Sequence, residues 1–199
     1  IIPAPEKGSG GIKTVINNAN YLANNGYICD LYVSNCKVKE EILKERIKSY
    51  YGVFSCNVYN SMHYDEAYDI VFSTLSYDTP DIARNFKKAK KIAYFIQDYE
   101  PLFVPRGSMS IALNNTYDYG FEGISIGRWL AKKIKDEHKM NMHYFPFCAD
   151  QKIYHKIDVA KEDAVCFIFQ PGKSRRAYDL GIKALYILKK LRPNTKIYL

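Results

Sequence analysis

The chain is short of the features that mark secreted, membrane-spanning or nucleic-acid-binding proteins. Its five cysteines, Cys29, Cys36, Cys56, Cys148 and Cys166, are odd in number and scattered, with no Cys-x-x-Cys pair. That distribution argues for reduced thiols and a cytoplasmic setting, and against a zinc site. No stretch approaches the roughly 20 apolar residues that cross a bilayer, and no signal peptide is visible, so a soluble or peripheral protein is expected. Acidic residues are the scarcer charge, 21 against 29 basic, for a formal net charge of +8. No nucleic-acid motif accompanies the basic clusters at Lys87-Lys88, Lys90-Lys91, Lys132-Lys133-Lys135 and Lys189-Lys190, which argues against nucleic acid as partner. They read as solvated helix faces or as attraction to an anionic partner; a membrane surface carrying lipid-linked substrates fits the second reading.

What the chain does contain is alternation. Short continuous apolar runs recur at Ile28 to Val33, Ile70 to Phe72, Ile92 to Ile96, Gly123 to Ile126 and Cys166 to Phe169, with helical stretches between them. Strands buried on both faces read this way, and the alternation implies a doubly wound α/β architecture around a parallel sheet. Tyr50 to Cys56 is a weaker strand candidate. The first residue is not Met, and Ile1-Ile2-Pro3 reads as the tail of a strand whose beginning is missing, so a trimmed chain is expected. At 199 residues the chain suits one full domain plus part of another. The polar stretch Asp150 to Asp163 sets the expected boundary, giving domains of 1–155 and 156–199. The second begins with a strand at Cys166 to Phe169, then a helix capped by Ser174 with Ala177, Leu180, Gly181, Ala184, Leu188 and Leu191 on one face, then a strand from Ile197.

Gly10-Gly11 stands where the Ile1-Ile2-Pro3 strand end gives way to a periodic helix carrying Ile12, Val15, Ile16, Ala19, Leu22 and Ala23, closed by Gly26. A glycine loop at a helix start either offers bare N–H groups to an anion or serves as a plain turn. Two phosphate templates fail here. In the dinucleotide fingerprint Lys13 replaces the third glycine, and the next strand ends in Ser34-Asn35 rather than an acidic residue; in the P-loop, Ile12 separates Gly11 from Lys13.

Four segments in order give a resemblance. They are Pro3 to Gly26-Tyr27; Tyr94-Phe95-Ile96-Gln97-Asp98-Tyr99-Glu100-Pro101; Ile124-Ser125-Ile126-Gly127-Arg128-Trp129-Leu130 through His143 to Asp150; and Gln170-Pro171-Gly172-Lys173-Ser174-Arg175-Arg176. The chain resembles retaining glycosyltransferases of the GT-B fold, family 4 type, and looks most like rhamnosyltransferase-like enzymes of bacterial surface polysaccharide synthesis. Two departures stand out: Gln97-Asp98 replaces a His common in the family, and Phe147-Cys148-Ala149-Asp150 replaces an Asn-Gly-Val-Asp segment.

The resemblance implies a Rossmann-like N-terminal GT-B domain followed by the first βαβ unit of a second, incomplete Rossmann-like domain. It implies transfer of a sugar, rhamnose in the nearest branch, from a nucleotide-diphosphate sugar to a glycan or lipid-linked acceptor. Gly10 and Gly11 would approach the donor diphosphate or the acceptor at an interdomain cleft. Gln97 and Asp98 would sit at the sugar as the catalytic residues, with Glu100 binding donor or acceptor, although Asp98 and Glu100 also read as helix caps. Lys173, Arg175 and Arg176 would hold the diphosphate, for which guanidinium groups and a helix N-terminus suffice, so no metal and no cofactor beyond the donor is expected. Trp129 and Leu130 read as core contacts and Ser125 as structural. The family's paired glutamates are absent from these residues, so the chain by itself is expected to be inactive; its expected location is the cytoplasm, with peripheral contact at the inner face of the cytoplasmic membrane. A non-catalytic glycan-binding or regulatory module is the alternative; an NAD-dependent dehydrogenase is disfavoured by Lys13.

Overall fold

The computed structural model describes residues 1–147 and 149–199, with Ser174 described by its backbone alone. Two compact units emerge: Ile1–Pro101 with Arg106–Phe147, and Leu102–Pro105 with the described residues after Phe147. In the first unit helix α1 (Gly10–Asn24) is followed by β1 (Asp30–Tyr32), α2 (Glu40–Tyr51), β2 (Asn57–Tyr59), β3 (Ile70–Ser73) and α3 (Thr79–Asn85). Then come β4 (Lys91–Ile96), α4 (Ser108–Asn115), β5 (Glu122–Ile126), α5 (Arg128–His138) and β6 (Met142–Phe145).

Every strand pairing is parallel: β1 with β2, and β3 with β4, β5 and β6 in that order. The Ile1-Ile2 segment joins the two sets. Ile2 N donates to Tyr32 O at 2.8 Å and Ser34 N to Ile2 O at 2.8 Å, while Ile1 N donates to Phe72 O at 3.0 Å. The spatial order is therefore β2, β1, Ile1-Ile2, β3, β4, β5, β6, and the winding reverses between Ile1-Ile2 and β3. That is the order of a Rossmann-like sheet, with its switch point at the reversal.

Alternation along the strands distributes the core to two faces. Ile2, Leu31, Val33 and Val58 pack with Ile12, Ile16 and Ala19 of α1 and Leu43 and Ile47 of α2. Ile1, Tyr32 and Val71 point the other way, to Ile82 of α3 and Phe86. On that same side Tyr94 and Ile96 meet Leu130 and Ile134 of α5, with Ile92 shared between the two clusters. Each of Ile16, Leu43, Ile47, Ile82 and Ile134 is fully buried, worth about 1.5–3 kcal/mol apiece. The α5 face also holds a tyrosine stack: Tyr94 and Tyr99 flank Tyr117, with ring centroids 5.6 and 5.8 Å away.

Two sequence expectations for this unit are revised. Tyr50 to Cys56 is not a strand: α2 runs on to Tyr51, and the strand is β2 at Asn57–Tyr59, whose three residues include one fully apolar side chain. Trp129 is 67 % exposed rather than a core contact, because Leu130, Ala131 and Ile134 define the buried stripe of α5 and Trp129 falls a helical step outside it. Ser125, by contrast, is buried with its hydroxyl donated to Gly127 O at 3.2 Å, a structural role.

In the second unit β7 (Ala164–Cys166) pairs in parallel with β8 (Lys196–Tyr198), with α6 (Tyr178–Leu191) between them in sequence. The strand ends at Cys166, not Phe169, and the helix begins four residues later than Ser174. Ser174–Arg176 forms a separate 3-10 turn, and Ala177, at φ 49°, is the N-cap of α6. The inward side of α6 is Tyr178, Gly181, Ile182, Leu185 and Leu188, all half-buried, while Leu180 and Leu191 are 69 % and 76 % exposed. The helix is apolar on more than one stripe, so periodicity alone favours no single face. Gly181 is where Phe167 approaches: a Cβ there would lie 2.2 Å from the ring. The described cysteines, Cys29, Cys36, Cys56 and Cys166, are free thiols, and Cys148 lies outside the described residues. No helix among the described residues is long and apolar enough to cross a membrane.

Candidate functional site

Gly10 and Gly11 are the first two residues of α1 rather than a loop preceding it. Ser9 is the N-cap; its Oγ accepts from Ile12 N at 3.4 Å and its carbonyl from Lys13 N at 3.0 Å. First-turn N–H groups have no carbonyl to reach within a helix, so the two glycines contribute donors at a dipole end that favours anions. A Cβ on Gly10 would meet nothing within 4 Å, and one on Gly11 would sit 3.5 Å from the Gln97 amide, an ordinary contact. Packing within the protein therefore does not demand glycine at either position.

Gln97 follows directly after β4, at the carboxyl end of a central strand, and its Nε2 donates to Gly11 O at 3.2 Å. This bond brings together two of the residues singled out in the sequence. Asp98 turns back on the chain, its Oδ1 accepting from Tyr99 N at 2.8 Å. Glu100 has a different environment. It is 4 % exposed and its Oε2 accepts from Ser76 N at 2.7 Å, while the Ser76 hydroxyl meets the Tyr94 hydroxyl at 2.5 Å. Burial holds the Glu100 carboxyl above its ordinary range, with the bonds from Ser76 opposing. A side chain so enclosed fastens the turn after β4 to the turn after β3.

Lys173, Arg175 and Arg176 belong to the second unit. Arg176 N donates to Lys173 O at 2.8 Å, closing the 3-10 turn, and the Arg175 guanidinium lies over the Phe103 ring at 4.2 Å. The arginines are thus carried by the turn before α6, separated from the first residue of the helix by Ala177.

Sequence reasoning missed one group of polar residues. Ser34, Asn35, Asn60, Tyr77, Asp78 and Asp81 line a cleft of about 270 Å³ beyond the carboxyl ends of β1 and β2 and at the start of α3. In the sequence Ser34-Asn35 registers only as the lack of an acidic residue, because Asp78 and Asp81 come from a distant segment. No group of three or more His, Cys, Asp or Glu placed to hold a metal ion occurs among the described residues.

Parallel sheet, opposed helix layers and polar side chains gathered at the strands' carboxyl ends define an α/β protein with a Rossmann-like sheet. No protein-family model matches the sequence, and no solved structure matches it. Among curated proteins the chain is 34 % identical over 99 residues to the O-antigen biosynthesis protein RfbC of Myxococcus xanthus. The match covers 49 % of this chain and 8 % of that protein, so the chain spans a small part of its relative's length.

Proposed function

We propose that this chain is part of a glycosyltransferase of polysaccharide biosynthesis, of GT-B type, moving a sugar from a nucleotide-diphosphate donor to a glycan or lipid-linked acceptor. The observation that carries this reading is the similarity to an O-antigen biosynthesis protein. The parallel sheet, with Gly11 and Gln97 joined at a helix start, supports it as a ligand-binding edge. In this reading the first unit holds the acceptor side and the second is the start of the donor domain. Lys173, Arg175 and Arg176 meet the diphosphate, whose negative charge grows as the sugar leaves, and cationic side chains stabilise that charge without a metal. Transfer proceeds with retention at the anomeric carbon, and rhamnose is the sugar transferred.

The test is release of nucleoside diphosphate by the intact protein from a panel of nucleotide-diphosphate sugars, with and without chelator. Acceptor-dependent release that survives chelation, greatest for the rhamnose donor, is the expected result. Glycan binding without release would favour the non-catalytic module.

A further inference from the structure

The sheet brings Cys29 and Cys56 side by side. Asp30 pairs with Asn57 in the β1–β2 register, and Asn57 N donates to Cys29 O at 3.2 Å, so the cysteines stand opposite each other one residue before the paired strands. Side chains alternate along a strand, which sends Cys29 the way of Leu31 and Val33, and Cys56 the way of Val58, into the cluster shared with α1 and α2. Neighbouring strands run about 4.7–4.9 Å apart, inside the roughly 4.4–6.8 Å that a disulfide spans between its Cα atoms. The side chains already meet, the Cys56 thiol donating to the Cys29 sulfur.

The two sulfurs differ in access. Cys56 is 2 % exposed, whereas Cys29 is only partly buried, so a reagent from solvent reaches Cys29 first. The hydrogen bond from Cys56 also holds the Cys29 thiol below its ordinary pKa, with burial opposing, while the same bond and burial push Cys56 up. The thiolate is the attacking form, so access and acidity select the same sulfur. Cys36 and Cys166 are placed otherwise: Cys36 lies between β1 and α2, and Cys166 stands opposite Tyr198 in the β7–β8 register. In a reducing compartment a cysteine pair of this kind rests as the dithiol, and its disulfide is transient and redox-sensing.

We propose that Cys29 and Cys56 form a reversible redox pair, Cys29 attacking and Cys56 resolving, oxidised by a small disulfide of the glutathione class. The Cys29 thiolate attacks one sulfur of the small disulfide; a mixed disulfide forms and one small thiolate leaves. Cys56 then gives up its proton and attacks the Cys29 sulfur, expelling the second small thiolate. Two protein thiols are oxidised, one small disulfide is reduced to two thiols, and the protons lost by the protein end on them. The new bond ties the entry of β1 to the entry of β2, and excess dithiol reverses it. This pair is independent of the sugar-transfer reading.

The experiment treats the intact protein with oxidised glutathione until Cys166, an exposed thiol, is modified, blocks the remaining thiols with N-ethylmaleimide and maps tryptic peptides by mass spectrometry. The peptides carrying Cys29 and Cys56 should be linked with loss of two hydrogens, and dithiothreitol should restore both thiols. Fragmentation should place the link at Cys29 rather than at Cys36, which shares its tryptic peptide. Cys56→Ala should keep a glutathione on Cys29, and Cys29→Ala should lose the link and leave Cys56 unmodified. Cys29→Ala changes the more accessible residue and so decides even if Cys56→Ala disturbs the core. No link between Cys29 and Cys56 once Cys166 is modified, a link to Cys36 instead, or glutathione on Cys56 in Cys29→Ala would each overturn the proposal.

Discussion

The Gln97 side-chain amide donates to the Gly11 carbonyl at 3.2 Å, joining the carboxyl end of β4 to the first turn of α1 across 86 residues of sequence. Since a methyl group on Gly11 makes only ordinary contact with that amide, and alanine favours a helix over glycine by up to about 1 kcal/mol, Gly11→Ala should melt at or slightly above the parent temperature. Under the proposed function its turnover falls while the fold holds. Melting curves run beside product release separate the two effects, and a drop in melting temperature would show that glycine is needed for packing after all.

Arg176→Ala should leave the melting temperature within about 0.5 kcal/mol equivalent of the parent, as expected of a surface substitution, and weaken donor binding by about tenfold or more through loss of a bidentate phosphate contact. Calorimetric titration with nucleoside diphosphate measures it. Equal affinity in the variant would remove this turn from the donor site.

Glu100 makes stability depend on pH in a defined direction. The folded state holds this proton more tightly than an unfolded glutamate of ordinary value 4.5, so the native protein binds the extra proton just above pH 4.5 and loses stability as pH rises through the raised value. Asp78 acts with the same sign from its own ordinary value of 3.8. Glu100→Gln keeps an oxygen for the Ser76 N–H and removes one titration, so its urea midpoint should fall less steeply than the parent's as pH rises above 4.5. An unchanged slope would mean that Glu100 does not titrate in this window.

Ile134→Ala and Trp129→Ala test which side of α5 faces the core. The first empties a fully buried position and should cost about 2–5 kcal/mol; the second removes a ring that is 67 % exposed and should cost far less. Denaturant midpoints decide, and comparable losses would put Trp129 in the core.

In the second unit Gly181→Ala drives a methyl into the Phe167 ring and should destabilise it by about 1–3 kcal/mol. Adding Phe167→Ala should recover part of that loss, a non-additivity that reports the contact directly. Hydrogen exchange of the α6 amides follows this unit separately.

The sheet was largely legible because buried parallel strands are written as unbroken apolar runs, and Ile92 to Ile96 or Gly123 to Ile126 need no context to be read. β2 was missed because Asn57-Val58-Tyr59 draws its strand character from pairing with β1, not from its own composition. The place of Ile1-Ile2 between β1 and β3 depends on partners at Tyr32 and Phe72, which no local window contains. The same distance hides the cleft: Ser34 and Asn35 look inert until α3 brings Asp78 beside them. For α6 the local pattern was ambiguous in itself, since Leu180 and Ile182 suit different faces and only the ring of Phe167 against Gly181 decides between them.

The placement of aromatic rings also determines what a spectroscopist would see. The chain's one tryptophan stands in solvent, while Tyr94, Tyr99 and Tyr117 stack inside the core. Unfolding should therefore leave tryptophan emission nearly unchanged, and the cooperative loss of native packing should register in the tyrosine band of the near-ultraviolet circular dichroism.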